Sequence, residues 1–251
     1  MNKNLVYLIK YLLSERSDNM AIPQNEAEQF RLYRSLVNIR PAQNADEKYL
    51  RAEDGFLTEL ITEKGITDIA DMKPAAENIY LWQGDITTLK CGAIVNAANS
   101  GMTGCWRPCH SCIDNCIHTF AGVRLRLECA KLMEEQGHEE PTGQAKLTAA
   151  YNLPCGHIIH TVGPIVQGRL TDENREMLKS CYIFCLELAV KNKIDSIAFC
   201  CISTGVFGFP KAEAAEIAVN TVREFLKCHS IKVIFNVFGD DDYEIYKRLL
   251  S

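Results

Sequence analysis

The chain has 251 residues, 47% apolar and 24% charged, with a net charge of −5. A chain of this size buries roughly three quarters of its unfolded surface and needs no disulfide or metal staple to fold. It has no dense Lys/Arg run, which argues against long nucleic acid as a partner, and no stretch reaches the ~18 apolar residues of a membrane span.

The N-terminus reads MNKNLVYLIKYLLSERS, with Leu5, Leu8, Leu12 and Leu13 at helical spacing. Lys10 interrupts the apolar run and no small-residue cleavage site follows. The segment therefore predicts an amphipathic helix and not a signal peptide. Tyr49, Leu50, Phe56, Leu57, Leu60 and Ile61 fit a second helical face, and Pro23, Pro41 and Pro74 punctuate the region. Residues 1–75 are expected to form a helical extension, and residues 76–251 the main domain.

From Ile79 the texture changes. Short apolar, strand-like runs at 79–82, 93–96, 156–161, 196–200 and 233–237 alternate with helical patterns, the clearest at 177–191 and 210–227. Pro210 suits the first turn of a helix, where no amide donor is needed. The alternation predicts a layered α/β domain. In such a sheet, ligands bind beyond the carboxyl ends of the strands.

Three loops sit at such ends. Gly84-Asp85-Ile86-Thr87 offers a carboxylate that can accept from an exocyclic amine or cap a turn. Val95 to Gly101 carries Asn96 and Asn99, whose amides suit ribose hydroxyls or an Asn-rich turn. Ile202 to Pro210 is glycine-bearing and leads into a helix, so its amides can cradle a pyrophosphate. It matches neither a Walker loop nor a dinucleotide fingerprint.

There are twelve cysteines. Cys155, Cys181, Cys185, Cys200, Cys201 and Cys228 lie in apolar patterns and read as buried free thiols of a reducing cytoplasm. Cys105, Cys109, Cys112 and Cys116 instead cluster within twelve residues, with His110 and His118 among them. Thiolate and imidazole are the preferred zinc ligands, but spacing does not choose among these six. Cys116 and His118 fall inside a helix predicted from Asn115 onward. A rigidifying zinc clip and a redox-sensing cluster are the competing readings.

Five stretches taken together resemble the macrodomain family of ADP-ribose binders. They are GDIT at 84–87, AIVNAANS at 93–100, Thr142-Gly143 with Ala145, IIHTVGP at 158–164 and ISTGVFGFP at 202–210. The resemblance implies a three-layer α/β/α sandwich around a mixed central sheet. It places Asp85 on the adenine amine with the Ile86 backbone beside it, and Phe238 near adenine. Asn99 contacts the distal ribose. Asp114, with Cys112 and Ile113, lies at the start of the next helix, close to the diphosphate and distal ribose. Ser203, Thr204, Gly205, Val206 and Phe207 wrap the diphosphate through backbone amides.

Between the Asn and Asp motifs, ordinary hydrolytic members carry a glycine-rich run. This chain has Gly104-Cys105-Trp106-Arg107-Pro108-Cys109-His110-Ser111-Cys112-Ile113-Asp114. That loop, like the helical extension, resembles the zinc-containing macrodomain class, which implies one Zn2+ held by Cys105, His110 and Cys112. The implied activity is cytoplasmic hydrolysis of mono-ADP-ribose from acidic side chains of ADP-ribosylated proteins, with Asp114 and Asn99 catalytic. The resemblance also implies a lipoate-carrier protein, modified by a sirtuin-like ADP-ribosyltransferase, as partner. A reader that binds ADP-ribose without cleaving it, with a structural zinc, is the alternative.

Overall fold

The computed structural model describes residues 2–251. Helix α1 (Lys3–Glu15) starts where the Asn2 side chain accepts from the Asn4 and Leu5 amides, and it buries Leu5, Leu8, Ile9, Leu12 and Leu13. Helices α2 (Glu26–Ile39) and α3 (Glu47–Lys64) are capped likewise by Asn25 and Asp46. Such caps satisfy amide donors that the helix leaves open. The apolar core runs continuously from these helices into the rest of the chain, and the Phe30 ring stacks on Phe120 at 6.1 Å.

One buried acid joins the helices to the domain. Glu53 accepts from the hydroxyls of Tyr33 at 2.8 Å and Tyr49 at 3.0 Å, and from the Val123 amide at 3.0 Å. Burial raises its pKa, and these three bonds oppose the rise. Glu53→Ala would strand three buried donors, so a loss on the order of 3 kcal/mol is expected in urea unfolding. A loss under ~1 kcal/mol would show that the network is not a fastening.

Two short strands, β1 (Thr67–Asp68) and β3 (Leu89–Lys90), pair in parallel beside the main sheet. The main sheet contains β2 (Ile79–Gln83), β4 (Ala93–Ala98), β5 (Ala145–Ala149), β6 (His157–Val162), β7 (Ser196–Phe199) and β8 (Lys232–Val237). Their order is β2-β8-β7-β4-β6-β5, parallel throughout except for the antiparallel edge strand β5. Strands β4, β7 and β8 are almost wholly buried because helices cover both faces, which is why they read as unbroken apolar runs. Helices α4 (Ile113–Ala121) and α5 (Val123–Gln136) pack together with α2 and α3 nearby. Helices α6 (Asp172–Lys191), α7 (Lys211–Leu226) and α8 (Asp240–Leu250) form the second group. The fold is the expected three-layer α/β/α sandwich around a mixed sheet, with further helices at the N-terminus.

Several details differ from expectation. Helix α6 begins at Asp172, because Thr171 and Asn174 form a reciprocal capping box. Pro210 takes the N-cap position with ψ 126°, so it precedes the first turn. Helix α4 begins at Ile113, not Asn115. Cys228 is exposed, whereas Cys155, Cys181, Cys185 and Cys200 are buried. No helix among the described residues is long and apolar enough to cross a membrane.

Candidate functional site

Parallel pairing brings the carboxyl ends of β2, β8, β7, β4 and β6 to one edge of the sheet. At one end of that edge, Asp85 caps the short turn Ile86–Thr88. Its Oδ1 accepts from the Thr87 amide at 3.0 Å and the Thr87 hydroxyl at 2.6 Å. Its Oδ2 pairs with Lys64 Nζ at 2.9 Å. Burial works against the charge, but these partners outweigh it and hold Asp85 below the usual carboxylate range. Lys64 also sits over the Phe120 ring at 3.6 Å. Ile86 is buried, and Phe238, just past β8, is 81% exposed at the same edge.

At the other end lies Asp114, in the first turn of α4 and buried. Its Oδ1 accepts from Asn96 Nδ2 at 2.8 Å and its Oδ2 from Asn99 Nδ2 at 3.2 Å. The Asn99 amide also donates to the Gly104 carbonyl at 3.1 Å and accepts from the Gly101 amide at 3.0 Å. Burial pushes the Asp114 carboxyl up to about 6, against the two amide bonds and the Arg126 charge. The helix N-terminus adds partial positive charge beside it.

Behind Asp114 runs a buried polar chain that the sequence motifs alone did not single out. Asn96 lies opposite His160 in the β4–β6 register. Asn96 Nδ2, besides meeting Asp114, faces His160 Nδ1 at 3.1 Å. With Asn96 donating, Nδ1 is the acceptor and Nε2 carries the proton toward Thr148 Oγ1 at 2.8 Å. His118 stands one turn after Asp114, its Nε2 3.6 Å from Oδ1, and both its ring nitrogens are buried without a hydrogen bond. His118, Cys129 and His160 bring ligand atoms within 4.8 Å of one another. Because both its nitrogens are engaged, His160 is better described as a hydrogen-bonded support that reaches Asp114 through Asn96 than as a metal ligand.

Burial drives His160 down to about 3, against ~6.5 in an unfolded chain. Between those values the unfolded state binds more protons. The stability that neutral His160 contributes is therefore complete above ~6.5 and lost as pH falls, at about 1.4 kcal/mol per unit. His118 shifts the same way, and Asp114 the opposite way. His160→Gln separates the contribution of His160. The wild type's stability advantage over it should shrink by about 2 kcal/mol between pH 6.5 and 5. An advantage independent of pH would contradict a buried neutral imidazole.

Between Asn99 and Asp114 the chain makes a compact loop. Gly104 takes φ 84°, and a Cβ there would come within 2.8 Å of the His118 ring. Cys105 Sγ lies 3.6 Å from His110 Nδ1. The ligand atoms of Cys105, His110 and Cys112 all fall within 4.8 Å of one another, and all three residues are partly accessible. Two ligands of one tetrahedral zinc are about 3.5 Å apart, so spacing and donor chemistry both fit that ion. Burial, reinforced by Cys105, pushes the Cys112 thiol up to about 12, so a thiolate there needs a cation beside it. The other candidates are directed elsewhere. Cys109 Sγ meets the Arg31 carbonyl at 3.3 Å, Cys116 receives Arg34 at 3.4 Å, and His118 is in the core.

The third loop is built from positive-φ turns at Ser203 (64°) and Gly208 (70°). It closes through Phe209 N→Ser203 O at 3.0 Å and Gly208 N→Gly205 O at 3.1 Å. The Thr204 amide turns inward to the Cys201 carbonyl at 3.3 Å. The amides of Gly205, Val206 and Phe207 donate to no group of the described chain, and Val206 is 77% exposed. Gly163 permits the neighbouring strand end to approach, since a Cβ there would lie 2.1 Å from Ser203 Oγ. The loop delivers the chain to the N-terminus of α7.

The pattern of the Macro domain family matches residues 95–218. A protein of Treponema medium named protein-ADP-ribose hydrolase is 55% identical across 98% of this chain and 97% of its own length. One of the same name from Staphylococcus aureus strain Mu50 is 49% identical across 98% of this chain and 95% of its own. The solved Trypanosoma brucei macrodomain in complex with ADP-ribose superposes with a TM-score of 0.67 at 31% identity, covering 87% of this chain and 95% of that one. The likeness to the first two runs through the helical extension as well as the sheet, and the chain belongs to the macro domain family.

Proposed function

We propose that this protein is a zinc-dependent hydrolase that removes mono-ADP-ribose from acidic side chains of modified proteins and releases ADP-ribose. The observation that carries this reading is the placement of Asp114. A buried carboxylate stands two residues from Cys112, at the helix end where the Cys105–His110–Cys112 group meets the Asn99 loop. The names of the Treponema and Staphylococcus relatives and the ligand of the Trypanosoma macrodomain support the same substrate class.

Each end of the sheet edge has a share in the reaction. Asp85, with the Ile86 backbone, takes adenine. The amides of Gly205, Val206 and Phe207, with Ser203 and Thr204 shaping the loop, take the diphosphate. Asn99 holds a distal-ribose hydroxyl through its remaining acceptor capacity, and Cys112 and Ile113 border that ribose. Cys105 and Cys112 as thiolates and His110 as a neutral ring would hold one Zn2+, giving a site of net charge zero. Bound there, the ion supplies Lewis-acid charge near the distal ribose. Asp114 orients the attacking water and accepts its proton.

The leaving group favours an acidic linkage. Enzymes that cleave glycosidic bonds usually need one carboxyl to protonate the leaving oxygen and another to activate water. Here Asp114 is the carboxylate that bonds to the Asn99 loop beside the Cys105–His110–Cys112 group. A departing Asp or Glu carboxylate, with a pKa of about 4, leaves without protonation. The lipoate-carrier partner rests on the family resemblance alone. The test is to incubate the zinc-loaded protein with an Asp/Glu-mono-ADP-ribosylated protein and follow free ADP-ribose by chromatography. Release is expected, whereas tight binding without release would favour the reader.

A further inference from the structure

We propose that the N-terminal helices are part of the metal site: α2 braces the 105–112 loop, and Arg34 and Asn38 are positioning residues that set how tightly it holds zinc. This rests on the reading that Cys105, His110 and Cys112 ligate the ion.

The loop does little to hold its own shape. Between Cys105 and Cys112 the only backbone bond internal to the loop among the described residues is His110 N→Arg107 O at 3.2 Å. Its remaining anchors come from outside, above all from one face of α2. Arg34 Nη2 donates to the His110 carbonyl at 2.7 Å and to Asn115 Oδ1 at 2.8 Å, with Nε on the same oxygen at 3.1 Å. Asn115, fully buried, passes the restraint on: its Nδ2 donates to the Arg107 carbonyl at 3.0 Å and the Cys105 carbonyl at 3.4 Å. One guanidinium and one amide thus gather the backbone of two ligand residues.

One turn further along α2, Asn38 is also buried. Its Oδ1 accepts from the Cys109 amide at 2.8 Å, and its Nδ2 donates to Thr119 Oγ1 at 3.0 Å. Arg31, Arg34 and Asn38 follow helical spacing, so the contacts that α2 makes with the loop come from one face of the helix. At the loop's entry, Arg126 ties the Thr103 carbonyl at 2.8 Å to the Val37 and Arg40 carbonyls at 3.0 and 2.7 Å. Burying Asn38 and Asn115 is costly unless their bonds are made, and those bonds largely fix the shape of an otherwise irregular loop. Three ligands on one short loop bind a metal tightly only if the loop is already shaped. Partners that orient ligands change metal affinity roughly 10–100-fold.

The test measures zinc affinity of the full chain by competition with a chromophoric chelator, for wild type, Arg34→Met, Asn38→Ala and the control Ser35→Ala. Ser35 lies on α2, but its hydroxyl bonds only within the helix, to the Leu32 carbonyl. Arg34→Met and Asn38→Ala are each expected to bind zinc roughly 10–100-fold more weakly, with cooperative melting retained and Ser35→Ala unchanged. Wild type that holds zinc beside variants within twofold of it would overturn the brace alone. Wild type that holds none would overturn the metal reading beneath it. If both variants lose cooperative melting, α2 is a general element of the fold and the specific claim fails.

Discussion

Cys112→Ala is expected to lose bound zinc and to slow ADP-ribose release by about 10²–10³-fold, the worth of several kcal/mol of charge stabilisation. The effect should be confined to the distal ribose. Asp85 and the Gly205–Phe207 amides lie in other loops, so affinity for free ADP-ribose should change by less than about tenfold, which is 1.4 kcal/mol. The variant should also fold. Cys112 occupies the N-cap of α4 but makes no side-chain capping bond, so alanine removes no cap. Zinc content, calorimetric ADP-ribose affinity and single-turnover release on one preparation decide the matter. Full release by a folded, zinc-free Cys112→Ala protein would show that the metal has no part in turnover.

Asp114→Asn is the second large effect. It keeps the volume and removes the charge and the basic oxygen. Asp114 now accepts from both Asn96 and Asn99. An amide in its place must turn one NH2 group toward one of those donors, so the change also disturbs the neighbouring loop. Loss of a positioned general base typically costs about 10²–10⁴-fold. That loss should appear in kcat, with zinc content unchanged because Cys105, His110 and Cys112 are intact. Unimpaired turnover with ADP-ribose bound would remove Asp114 from the chemistry.

Much of this arrangement was legible in the sequence because its physical causes are local. Strands buried on both faces are written as apolar runs, as in β4, β7 and β8. The turn at Asp85 and the glycine-bearing loop before α7 are short-range devices. Strand β5 carries no comparable mark. Its AKLTA is an edge strand with only Thr148 buried, so neither alternation nor a continuous apolar run appears.

The choice among the clustered cysteines and histidines was equally hidden. Cys109 is drawn away by the Arg31 carbonyl, 78 positions earlier, and Cys116 by Arg34. The His160 support reaches Asp114 through Asn96, 64 positions from the imidazole, a pairing set by strand register. The Lys64–Asp85 ion pair likewise joins α3 to the turn after β2 only in three dimensions. Spacing within one loop contains none of these partners.

The most direct measurement is ADP-ribose release by one sample of wild type before chelation, after chelation and after return of Zn2+, with folding followed throughout. The account predicts a metal-free protein that stays folded and still binds ADP-ribose, stops releasing it from an acid-linked substrate, and resumes when zinc is restored. Undiminished release by the folded, metal-free protein would contradict it.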